Sequence, residues 1–80
     1  MINDNMTDEE LAIKDRLDFY MQEKLEVHLT LKRLMKDGKN VWLNGFLILN
    51  PTERLWFIKD RVLGEVKVSI AEIKFVEEAK

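Results

Sequence analysis

From Leu25 onward, apolar and polar positions alternate. Leu25, Val27, Leu29 and Leu31 face one way, and Glu26, His28, Thr30 and Lys32 the other. That period of two predicts a strand with one buried and one wet face. Before it, Ile13, Leu17, Tyr20 and Met21 recur at helical spacing, with Leu11 beside them. Thr7-Asp8-Glu9-Glu10 is a capping box, a Thr cap with Glu three residues on. The acids of this first turn also suit the helix dipole. Together these predict a helix over 8–23, supported by a Glu10–Lys14 pair one turn apart. Its apolar stripe is narrow, so the helix lies against something else.

Lys36-Asp37-Gly38-Lys39 predicts a hairpin turn at Asp37-Gly38, where both central residues tolerate positive φ. The return strand, 41–49, is apolar on both faces. Val41, Leu43 and Leu47 lie on one, and Trp42, Phe46 and Ile48 on the other. A strand wet on one side does not read this way. The expectation is that the N-terminal helix, the curvature of a barrel or another subunit covers the second face. Gly45, inside this strand, marks a bulge or bend of the kind a small barrel needs. Asn50-Pro51-Thr52-Glu53 predicts a turn. A third strand follows over 54–59, apolar on both faces through Leu55, Trp56, Phe57 and Ile58. Asp60-Arg61 turns into a fourth strand, 65–70, where Val66, Val68 and Ile70 alternate with Glu65, Lys67 and Ser69. A sharp turn at Ala71-Glu72 leads to a fifth, 73–77. The fold class expected is mainly β. An N-terminal α-helix precedes a small five-stranded antiparallel SH3-like barrel over 25–78, in a single domain of residues 7–80 behind a disordered stretch 1–6.

Composition narrows the function more than the fold. At 80 residues and 46% hydrophobic, the chain makes one domain and buries only about 60–65% of its unfolded surface. There is no cysteine, so oligomerisation is the remaining support for so small a domain. No apolar run approaches the roughly 18 residues of a membrane span. The polar, acidic N-terminus does not read as a signal peptide, so a cytoplasmic protein is expected. The net charge of −2 is uneven. Residues 1–24 hold seven acids and three bases, and residues 25–80 hold eight acids and ten bases. An acidic segment on a mildly basic body is compatible with weak nucleic-acid contact.

Leu63-Gly64, Val68, Ile73 and Val76, with Leu31, Gly38 and Gly45 earlier, follow an order and spacing that resembles the two sequence blocks of Sm and Sm-like proteins. Asn44-Gly45 is similar to the polar-Gly pair of the bacterial Hfq branch. The resemblance covers residues 8–78 and implies an Sm-like barrel. It also implies a homo-oligomeric ring of six or seven subunits, closed by pairing of strands 65–70 and 73–77. The implied role is association with single-stranded RNA or scaffolding of an RNA–protein assembly. In that family the loop after the second strand presents Asp and Asn to a uridine, and an Arg-Gly turn precedes the last strand. Here the loop reads Asn50-Pro51-Thr52-Glu53-Arg54, and Ser69-Ile70 replaces Arg-Gly, so the uridine pocket is degenerate. The RNA-facing candidates are Asn50, Arg54, Lys59 and Arg61. Lys32, Arg33, Lys36 and Lys39, around the first hairpin, read as solubilising turn charges or phosphate contacts. The strand rhythm 45–49, 54–58 and 68–73 is also similar to PH-like and GRAM domains, which implies a protein- or lipid-interaction module instead. Those domains carry their helix after the strands.

No nucleophile–base arrangement, phosphate loop or carboxylate metal motif occurs, so neither enzyme, cofactor nor metal site is expected. Lone His28, on a polar strand face, reads as a surface histidine rather than a general base or metal ligand. Trp42, Phe46, Trp56 and Phe57 read as core or subunit interface, with base stacking as the alternative. Nothing signals DNA specifically or a membrane.

Overall fold

A computed structural model describes residues 6–79. One helix, α1 (Asp8–Glu23), precedes β1 (Val27–Leu34), β2 (Asn40–Thr52), β3 (Leu55–Asp60), β4 (Gly64–Ser69), a 3-10 turn (Ile70–Glu72) and β5 (Ile73–Glu78). The strands form one antiparallel sheet in the order β4-β3-β2-β1-β5. The chain is therefore mainly β, a helix followed by a five-stranded antiparallel sheet, as its pattern predicts. The sheet is not closed into a barrel: β4 pairs with β3 alone and β5 with β1 alone among the described residues.

The capping box closes α1 as expected. Thr7 Oγ1 accepts from the Glu10 amide at 3.1 Å, and Glu10 Oε1 accepts from the Thr7 amide at 3.0 Å. That use of Glu10 explains why it does not pair with Lys14, which instead reaches Asp18 at 2.8 Å. Lys24, at φ 57°, ends the helix in the left-handed conformation. Leu17 is fully buried, while Ile13, Tyr20 and Met21 pack against the core. Leu11 is exposed. The helix lies on β5, β2 and the 3-10 turn. The stretch 1–6 expected to be disordered lies outside the described residues except for Met6, which packs against the core.

The core fills one side of the sheet. Val27, Leu29 and Leu31 of β1 meet Leu43 and Leu47 of β2, Trp56 and Ile58 of β3, Val68, Ile70, Ile73 and Val76. Fully burying a side chain of this kind stabilises by about 1.5–3 kcal/mol. On the other side of the sheet, neither the helix nor a closed barrel covers the apolar residues. Trp42 is 53% exposed, Phe46 47% and Phe75 49%. The helix covers the core side, and nothing among the described residues covers the outer one.

Turn positions also shift. The first hairpin has a three-residue loop, with Met35 N donating to Lys39 O and Gly38 N to Met35 O. Only Gly38 takes positive φ, at 87°, and Asp37 instead accepts from the Lys39 amide. A three-residue loop of this kind needs one left-handed residue, not two. β2 runs on through Pro51, which is tolerated beside the register shifts between Leu47 and Thr52, so the reversal falls at Glu53-Arg54. Ser69 and Glu72 form a second capping box around the 3-10 turn, which accounts for the sharp bend at Ala71-Glu72. No helix among the described residues is long and apolar enough to cross a membrane.

Candidate functional site

The four residues singled out for RNA divide between two ends of β3. At one end, Asn50 is committed to the fold. Its amide donates to the Thr52 carbonyl and, at 2.9 Å, to Leu55 O, tying the β2–β3 turn together. Arg54 sits at the tip of that turn. Its carbonyl accepts from the Ile70 amide at 2.8 Å, which joins the β2–β3 and β4–β5 turns. Its guanidinium is exposed and makes no hydrogen bond or ion pair among the described residues. Thus Ser69-Ile70, standing where the resemblance expects Arg-Gly, lies beside this turn through its backbone.

At the other end, Arg61 is occupied. Its guanidinium donates to both carboxylate oxygens of Glu26, Nε at 2.6 Å. Glu26 holds Arg61 above its usual range, and Arg61 holds the Glu26 carboxyl below the usual range. Lys59 is exposed on the outer face, between Phe46 and Glu65, and makes no ion pair among the described residues. It lies five residues along the chain from Arg54, roughly 16 Å for extended backbone. The candidates therefore do not make one pocket. Arg54 and Lys59 remain available to a ligand, and Asn50 and Arg61 work for the fold.

Asp60, next to them, is a buried carboxylate that pattern reading missed. Oδ1 accepts from the Asn44 amide at 2.9 Å, and Oδ2 accepts from Val62 and Leu63, both at 2.9 Å. Burial pushes its pKa up, but the three backbone donors and Arg61 outweigh this and hold it below the usual carboxylate range.

The outer face gathers a second group of side chains. The register sets Phe75, Thr30 and Trp42 in one cross-strand row, and Glu77, His28 and Asn44 in the next. His28 Nδ1 lies 2.6 Å from Asn44 Oδ1, so the imidazole carries its proton on Nδ1 and donates it. The His28 ring stacks on Trp42 at 5.5 Å between centroids, tilted by 30°. An open cavity of about 270 Å³ adjoins them, lined by His28, Asn44, Glu77, Glu78 and Ala79. His28 is thus neither isolated nor a free surface residue; it orients the ring of Trp42. In sequence, the only signal was its alternation onto the same face as Thr30.

No protein-family model matches this chain, no characterised protein aligns with it, and no solved structure superposes on it with significance.

Proposed function

We propose that this chain is a non-catalytic, Sm-like assembly module that closes into a homo-oligomeric ring and associates with single-stranded RNA. The strand order carries this reading. It leaves β4 and β5, six residues each, as the two unpaired edges of an open sheet. Unpaired edges invite pairing with another chain, and β4 of one copy joined to β5 of the next uses both. Repeated around a closed symmetry, that contact ends with no free edge. The apolar Val62 and Leu63, exposed beside the start of β4, favour coverage by a neighbour.

RNA association rests on charge. The acids concentrate on α1, which lies on the core side of the sheet, whereas residues 25–80 carry a net +2. Arg54 and Lys59 offer cations that make no ion pair among the described residues, with Glu65 of β4 opposite Lys59. An oligo-uridine titration at low salt tests this half of the reading. Arg54→Glu with Lys59→Glu should weaken binding at least tenfold, flatten its salt dependence and leave the native mass unchanged. Absence of binding by the unmutated protein would remove the RNA role and leave the assembly.

A further inference from the structure

We infer that the outer face of the sheet is a base-stacking platform for single-stranded RNA, built on Trp42 and Phe46 of β2 and flanked by Phe75 of β5. The inference rests on the RNA reading above and moves its principal contact away from the turns. Each base offers a π-face, and aromatics exposed on one face of a sheet can each receive a base of a single strand. Trp42, Phe46 and Phe75 stand about half exposed on one face, within three strands of one another. The second tryptophan, Trp56, is fully buried, so the exposure of Trp42 is particular to its position.

Trp42 is also held in place. His28 stacks on it, and Asn44 fixes His28 through the 2.6 Å hydrogen bond. A ring already oriented loses less entropy when a base stacks on it. The side-chain Nδ2 of Asn44 makes no hydrogen bond among the described residues and stands beside the adjoining cavity, a donor for a base edge. Charge sets the direction of the strand. Glu77 borders the cavity on the β5 side, whereas Lys59 stands beside Phe46 on the β3 side, with Glu65 opposite it and Lys67 two residues further along β4. Phosphates therefore run over β3 while the bases lie on β2.

A protein partner fits this face less well. A protein interface centres on a continuous apolar patch with charge at its rim. Here a polar row of Glu77, His28 and Asn44 cuts between the aromatics Trp42 and Phe46. Aromatic rings alternating with hydrogen-bonding groups suit bases.

Tryptophan fluorescence during titration with unlabelled oligo-uridine tests the platform. Only Trp42 is accessible to a stacking base, so binding should quench the exposed component and spare the buried Trp56 signal. Trp42→Ala should weaken binding by roughly 5- to 150-fold, the worth of one base stack. Trp42→Phe should restore most of that loss and abolish the quench. Unchanged circular dichroism and native mass in both variants would show an intact fold. Binding that persists in Trp42→Ala without quenching in the parent would overturn the platform and leave the charged turns as the RNA contact. A native mass that falls in Trp42→Ala would identify the face as a subunit contact and overturn it as well. No binding by the parent would overturn the platform together with the RNA reading.

Discussion

Gly45 shows how a single residue sets the sheet's shape. It pairs with Asp60 across β2 and β3, and a Cβ built there would stand 1.9 Å from the Lys59 carbonyl oxygen. Both clashing partners are backbone, so alanine forces the two strands apart. Overpacking of this kind costs about 1–3 kcal/mol, and for so small a domain each kcal/mol moves the thermal midpoint by roughly 4–8 °C. Gly45→Ala should fall at the upper end of that cost in a thermal melt. A midpoint unchanged from the parent would show that the strands do not approach so closely. A glycine inside a strand marks a bend in the sequence, but the carbonyl that demands it lies fourteen residues away and is not legible there. Likewise, Trp42 and Trp56 sit in equally apolar surroundings along the chain. One ends up half exposed and the other fully buried, because the strands' alternation assigns them opposite faces.

At the scale of elements, local chemistry was readable wherever partners are near in sequence. The capping box of α1, the helix bounds 8–23 and the turn at Ala71-Glu72 follow from residues three or four apart. Register was not readable. A two-residue turn at Asp37-Gly38 sets Lys36 opposite Lys39 and, carried along the strands, His28 opposite Leu47. The longer loop and a bulge between Thr30 and Leu34 bring His28 opposite Asn44 instead. That pairing creates the polar row, so the outer-face site was hidden by a slip in register. The β3–β4 turn was obscured for a related reason. Its stability comes from Asp60, whose carboxylate joins the turn to β2 through the Asn44 amide. Because folding lowers the pKa of Asp60, its contribution is complete above the unfolded carboxylate value. It is lost as pH falls through the folded value. Glu26 and Glu72, also lowered, act in the same direction. The thermal midpoint should therefore be flat near neutrality and drop below about pH 4. Asp60→Asn removes an acceptor from part-buried amides and should cost about 1–3 kcal/mol at pH 7. It should also shallow the acid limb, which melts across pH 3–7 would resolve; a parallel acid limb in the variant would contradict this role.

For the whole molecule, the place of β4 and β5 at the two ends of the sheet was not legible from the order of helix and strands. A fourth and a fifth strand joined by a tight turn read as neighbours, yet β4 pairs with β3 and β5 with β1, at opposite ends of the sheet. What the chain leaves unfinished at this scale is two open edges and an exposed aromatic face on an 80-residue domain. Small domains commonly complete their burial by assembly. The edges and the outer face of β2 lie on different surfaces, so the proposed ring, closed through β4 and β5, would leave Trp42 and Phe46 exposed. The native mass in solution, by light scattering behind a sizing column, tests this account most directly. Six or seven copies of a 9.5 kDa chain give about 57 or 67 kDa, and the account predicts one such discrete species. A monomer near 9.5 kDa, or a simple dimer, would contradict the ring and with it the assembly role assigned to the two edge strands.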